Sequence, residues 1–181
     1  MQRAIVAPVD LASTALGELK DWLAITTTRE DSALLALLEA SLEMCEAFIR
    51  QAPIESGFEE VLPSMSGWQV LTTRPVRTIT AVDAIDAGNL RLPLASDSYL
   101  LDLGADGTGR VRLTVPVDAR RIAVRFSAGI AADWDTLPGA LRHGIIRLAA
   151  HNFRERETSS ASQPPAAITA LWRPWRQMRL T

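Results

Sequence analysis

The sequence predicts an α+β fold that is mainly helical: a helix bundle, made of two N-terminal helices plus a C-terminal helix and tail, with an inserted small antiparallel β domain. Three observations carry this. Apolar residues recur at spacings of three and four before residue 60 and again after residue 131, the period of a helix with one buried face. Between them the chain turns to short apolar or β-branched runs broken by turn residues. No internal repeat is present. The expected divisions are an N-terminal helical part (1–60), a β-rich part (61–130) and a C-terminal helix with a docking tail (131–181), with 61–130 inserted in one helical domain.

Ser13 is placed to cap a short helix over Thr14 to Leu23, with Leu16, Leu19 and Leu23 on one face. Thr26, Thr27 and Thr28 break it. Thr28 with Asp31 three residues on resembles a capping box opening a second helix to about Arg50. Its stripe is Leu35, Leu38, Leu42, Cys45 and Ile49, widened by Leu34, Leu37 and Phe48. Pro53 stands at its end. Strands are expected over Trp68–Thr72, Thr78–Val82, Leu90–Leu92, Tyr99–Leu103, Arg110–Val115 and Arg121–Ser127. In the last, Ile122, Val124 and Phe126 point one way and Arg121, Ala123, Arg125 and Ser127 the other. Gly88-Asn89 and Gly104–Gly109 supply turns. Thr136 before Leu137-Pro138 reads as a helix start. That helix runs to about Glu157, with Leu141, Ile145 and Leu148 on one face. Thr158–Pro165 is a Ser/Pro/Ala loop. Then comes a tail with Leu171, Trp172, Trp175, Met178 and Leu180 interleaved with Arg173, Arg176 and Arg179.

With 181 residues, 48% hydrophobic and 22% charged, the chain has the composition of a globular protein and not of a disordered one. No apolar run approaches the roughly 20 residues of a membrane-spanning helix. The first ten residues hold one arginine and no apolar core, so no signal peptide is expected. A lone cysteine, Cys45, excludes an internal disulfide and argues against a cysteine zinc site. The expected compartment is the reducing bacterial or host cytoplasm. The net charge of −2 is unevenly spread: −7 over residues 1–60, −1 over 61–119 and +6 over 120–181. An acidic front and a basic back suit a subunit that meets other proteins, or its own copies, at two ends.

Catalytic chemistry finds little support. His143 and His151 lie eight residues apart on one predicted helix, about 12 Å along its axis, too far to share a metal ion. His151 and Glu155 at i,i+4 supply two ligands at most. No Gly-x-Ser-x-Gly elbow is present. The glycine-rich 104–109 stretch lacks the Gly-Lys-Ser/Thr ending of a phosphate loop and reads as a hairpin turn. Glu30-Asp31 and Glu59-Glu60 read as solvated acidic pairs at a helix start and in a loop. No catalytic, cofactor-binding or metal-binding residue is assigned and no cofactor is expected. Cys45 reads as a small buried hydrophobe. The tail stands out, because tryptophan and arginine are enriched where interfaces concentrate their energy. The alternatives for it are folding back on its own helices, docking into another chain, or binding nucleic acid.

One arrangement resembles a known family. A short helix, a long helix and a β-rich insert lead to Leu137-Pro138-Gly139-Ala140-Leu141-Arg142, then to Arg147-Leu148-Ala149-Ala150-His151-Asn152-Phe153-Arg154-Glu155-Arg156-Glu157, and finally to Leu171-Trp172-Arg173-Pro174-Trp175-Arg176. Leu16-Gly17-Glu18-Leu19-Lys20, Arg74-Pro75-Val76 and Tyr99-Leu100-Leu101-Asp102 are further matching points. This resembles the head–tail connector (adaptor) proteins of tailed bacteriophages and phage-like gene transfer agents, over nearly the whole chain. It departs from the family at Ile49-Arg50, where an aromatic-Thr/Gly element is common. The resemblance implies a structural protein and not an enzyme. Such a protein forms a ring, typically of twelve copies, between the portal protein and a tail-side stopper or tail protein. The ring extends a channel through which DNA passes without sequence-specific binding. The implied location is the head–tail interface of the particle, with the bacterial cytoplasm during assembly and no membrane partner. Ile168, Leu171, Trp172, Arg173, Trp175, Arg176, Met178 and Arg179 are the implied portal or partner interface, and the β insert the implied neighbour or tail-side surface. The alternative function is a DNA-binding or packaging accessory protein using the basic C-terminal part, and a small enzyme is the third.

Overall fold

The computed structural model describes residues 2–155 and 164–177. It is 32% helical and 29% strand, so the fold is a mixed α+β one with a substantial sheet, and the expectation of a mainly helical chain is corrected. The elements are β1 (Gln2–Ala7), α1 (Ala15–Leu23), α2 (Asp31–Ile49), β2 (Ser56–Pro63), β3 (Gln69–Val70), β4 (Val76–Ile85), β5 (Arg91–Pro93), β6 (Tyr99–Leu103), β7 (Gly109–Leu113), β8 (Arg121–Ala128), α3 (Gly139–Arg154), α4 (Ala166–Trp172) and a 3-10 turn, Arg173–Trp175. Two strands fall in the stretch read as helical, β1 and β2, and they account for the correction. The chain forms two compact units. One joins the residues up to Pro8 with Glu55–Ile130, and the other joins Val9–Ile54 with the chain from Ala131 onward.

The first unit is all antiparallel. Its larger sheet has the order β1-β2-β8-β4-β5 and its smaller one β3-β7-β6. Register decides the faces, because directly opposed residues point the same way. Phe58 opposes Phe126, Glu60 opposes Val124, and Leu62 opposes Ile122. Val124 in turn opposes Val82, and Ile122 opposes Ala84. All of these are buried, the face the sequence predicts for Ile122, Val124 and Phe126, while Ala123 on the other face is buried as well. The surprise is Glu60, fully buried in the middle of that apolar row and not solvated in a loop. Its carboxylate accepts four hydrogen bonds, from the backbone N–H groups of Thr72 (2.9 Å) and Thr73 (2.8 Å) and from their hydroxyls (2.7 and 2.8 Å). Burying a charge is tolerated only with such full pairing. Here it ties β2 to the segment after β3.

The two hairpin turns stand where the glycines predict them. Asn89 takes a left-handed φ of 64° between β4 and β5. The loop between β6 and β7 closes with Gly104 N–H donating to Thr108 O at 2.8 Å. Gly107 has a φ of +76°, and a β-carbon there would lie 2.4 Å from Cβ of Pro75. Only glycine meets both demands.

The second unit is helical. The buried line of α2 is Leu34, Leu38, Ser41, Cys45 and Ile49. It is turned slightly from the expected stripe, so Leu35 and Leu42 flank it half-buried. The hydroxyl of Ser41 donates to Leu37 O at 2.7 Å, which removes the cost of a polar group in that line. The predicted caps do not form. Thr14 and Glu30 precede α1 and α2 and make no side-chain cap bond. The C-terminal ends of both helices are closed by left-handed residues, Ala24 (φ 57°) and Arg50 (φ 60°), whose N–H groups return to carbonyls of the last turn. Thus α2 ends at Arg50, ahead of Pro53. The α3 helix begins after Pro138. It packs against α1, α2 and α4, which is why Leu141, Gly144, Ile145, Ile146, Leu148, Ala149 and Ala150 are all buried.

Candidate interaction surfaces

The tail divides in two. Ile168 and Trp172 on α4 belong to the core of their own unit; Trp172 has no exposed surface. Its indole lies over Gly144 of α3, donates from Nε1 to Leu141 O at 3.4 Å, and tilts against Phe48 of α2 with ring centroids 5.9 Å apart. Leu171 is half-buried. The chain then crosses the end of α2. Gln51 donates from Nε2 to Trp175 O at 2.7 Å, and Gln177 N–H donates to Ile49 O at 3.1 Å. The Arg176 guanidinium sits 5.4 Å from the Phe48 ring, at cation–π range. What this leaves outward is Arg173, Pro174 and Arg176, with Trp175 half-buried. The candidates Met178 and Arg179 lie outside the described residues.

A second surface was not singled out from the sequence. Trp22 of α1, Arg147, His151 and Arg154 of α3, and Pro165 and Ile168 of the α4 region line one open groove. Trp22 is 46% exposed and meets the His143 ring edge-on at 5.3 Å. His151 pairs with Glu155 at 3.2 Å. The signal was present as His143, Arg147, His151 and Arg154 at spacings of four, four and three, which fall on one helix side. A search for apolar stripes passes over it.

The outer face of the larger sheet is charged. Opposed to Glu59 is Arg125. The Arg125 guanidinium instead reaches Asp83, 2.5 Å away, while both Glu59 oxygens are taken by Arg91. That pairing, more than any other contact, raises the Arg91 pKa further above its ordinary value. Asp83 is buried and one of its oxygens has no partner. Elsewhere in this unit Leu90, Leu92, Leu100, Leu101 and Leu103 are exposed on the β5 and β6 edge strands and the β4–β5 turn. Trp68 is exposed too, 5.2 Å beneath the Arg112 guanidinium. Apolar residues at open strand edges are the usual mark of contact surfaces.

Among the described residues no three His, Cys, Asp or Glu side chains gather as a metal site. Cys45 is fully buried, and burial first and Glu46 second push its thiol pKa far up, the opposite of a nucleophile's environment. Among the described residues no helix is long and apolar enough to cross a membrane.

No protein-family model matches the chain, and no curated protein matches it. Solved structures do. One similar chain belongs to the neck of an empty gene transfer agent particle, computed with sixfold symmetry. It is 28% identical with a TM-score of 0.79, over 100% of this chain and 98% of the other. A chain of the virion of a native gene transfer agent particle gives 27% identity and a TM-score of 0.79 over the same 100% and 98%. A chain of the native particle neck computed with twelvefold symmetry gives 28% and 0.78, again over 100% and 98%. The likeness runs over the whole of this chain, in each case to a chain of a gene transfer agent particle, two of them from the neck.

Proposed function

We propose that this protein is a head–tail adaptor: a non-enzymatic structural subunit that forms a ring, of about twelve copies by analogy with the twelvefold neck, between a portal protein and the tail-side proteins. The observation that carries the reading is the match to neck chains from end to end, covering both units and not the helical unit alone. Two further features support it. The chain offers charged and apolar surfaces, and its tail leaves Arg173 and Arg176 outward, with Trp175 half-buried between them, at the end of the helical unit. These three, with Leu171 beside them and Met178 and Arg179 following, are the proposed portal contact. Ile168 and Trp172 hold the segment in place from beneath. The β unit, with its exposed leucine edges, is the proposed neighbour or tail-side surface. DNA passes through the ring without sequence-specific contacts.

Removing the gene from a producing strain tests this. The expected product is DNA-filled heads without tails, and the wild-type particle carries the protein at its neck by electron microscopy. Normally tailed particles from the deletion, or a chain absent from purified particles, would overturn the reading. The double change Arg173→Glu, Arg176→Glu should weaken attachment to portal-bearing heads while leaving the protein folded, since both side chains are exposed and the Arg176 contact with Phe48 is worth only about 0.5–1 kcal/mol.

A further inference from the structure

We propose that the groove over α3 receives the outer face of α2 from a second copy of this chain, an inference that rests on the ring-forming reading. The groove is basic and aromatic: Arg147 and Arg154 with Trp22 at its wall, and His151 beside them already paired to Glu155. The outer face of α2, turned away from its buried line, carries Glu39 and Glu43, with Glu46 half-buried at its flank. These acids are spaced four and three residues apart, and Arg147, His151 and Arg154 have the same spacing. Each set therefore spans about 10.5 Å along its helix, so the outermost charges of one set fall opposite those of the other. Exposed Ala36, Ala40 and Ala47 form a strip beside the acids on the same side of α2. Their small side chains let α2 approach the groove closely, with the carboxylates reaching furthest.

Both surfaces belong to the same unit of one chain, and they differ. A contact between them is heterologous, each copy using its acidic helix on one neighbour and its basic groove on the other. That geometry closes rings and does not make two-fold dimers. Opposite charge would also steer the encounter and weaken it at high salt.

Charge exchange in the full-length protein tests this, read by native mass spectrometry and sedimentation at low and high salt. Wild type should form rings. Glu39→Arg with Glu43→Arg, and separately Arg147→Glu with Arg154→Glu, should each lose them while keeping the wild-type circular dichroism. Arg154→Glu alone, at an exposed position, should weaken assembly without touching the fold. An equimolar mixture of the two reversed variants, or the fourfold variant, should restore rings, because each reversed surface then meets its complement. Rings from either reversed variant alone would overturn this contact and leave the ring reading standing. So would folded variants that no mixture restores, or a groove reversal that loses only binding to a DNA duplex. A wild type that stays monomeric at every concentration and salt, and is absent from particles, would overturn the ring reading itself.

Discussion

The indole of Trp172 fills the space that a side chain on Gly144 would need: a β-carbon there would stand 2.2 Å from Nε1. Gly144 is thus the seat of α4 on α3. Glycine inside a helix costs about 1 kcal/mol relative to alanine, and here the exchange is reversed by the clash. Gly144→Ala should lower the stability of the helical unit by about 1–3 kcal/mol, as overpacked cores do. Trp172→Ala should cost about 3–5 kcal/mol as a large-to-small core change. Together they should cost less than their sum, because the alanine methyl enters the space the indole leaves. Denaturant melts of the two single variants and the double variant measure the coupling. Additive losses would mean that the two residues do not touch.

Trp175, three residues on, should behave differently. It is half-buried, and its link to Gln51 runs through its backbone carbonyl. Trp175→Ala should therefore keep the fold and show its effect in attachment to the particle. The two tryptophans of one short motif separate into an anchor and a presented residue.

That separation could not be read from the sequence, where both appear in one Trp-Arg-Pro-Trp run. What periodicity carries was legible: α1, α2, α3 and six strands, with Tyr99–Leu103 coinciding residue for residue. What long-range pairing carries was not. β1 is exposed along its whole length and is a strand because β2 supplies its backbone partners. β2 lacks a clean alternation because Glu59 and Glu60 interrupt it, each satisfied by residues outside the strand: Arg91 pairs with one, and Thr72 and Thr73 hydrogen-bond the other. The groove was missed for a related reason. Trp22 and Arg147 are more than a hundred residues apart, and only the packing of α1 on α3 brings them together.

Glu60 is the most demanding polar group in the β unit. Glu60→Ala removes the acceptor for two backbone N–H groups and two hydroxyls at once. An orphaned buried donor costs about 1–3 kcal/mol, so the β unit should be severely destabilised, with loss of amide-exchange protection at Thr72 and Thr73. Glu60→Gln keeps one accepting oxygen but turns an amide N–H₂ toward donors, and should fall between. A Glu60→Gln variant as stable as wild type would mean that the carboxylate charge is not needed.

Cys45 should be silent while the protein is folded. The thiolate is the reacting species, and burial both hides the sulfur and holds it protonated. Labelling by a disulfide reagent at neutral pH should proceed only as α2 opens, slowly in buffer and at once in denaturant. Rapid labelling of folded protein would place the sulfur at the surface.

Two aspartates should give the fold an acid limit. Asp106 accepts from the Thr108 hydroxyl (2.7 Å) and N–H (3.0 Å) in the β6–β7 turn. Asp133 accepts from the Thr136 hydroxyl (2.7 Å) and N–H (2.8 Å) in the loop before α3. In each case the threonine hydroxyl is the largest cause, and the backbone N–H the next, of a carboxyl pKa held below the ordinary aspartate value. A folded pKa below the unfolded one means that the unfolded chain takes up the proton first as the solution is acidified. The stability these turns contribute is therefore complete above the unfolded value. It is lost as pH falls through the depressed folded values. Carboxyl-carbon NMR should show both groups titrating below an ordinary aspartate. Asp106→Asn and Asp133→Asn should each be less stable than wild type at neutral pH and should approach it below the folded pKa, where the wild-type carboxyl is itself uncharged. A stability gap that stays constant from neutral to strongly acidic pH would show that the asparagine differs by packing and not by charge.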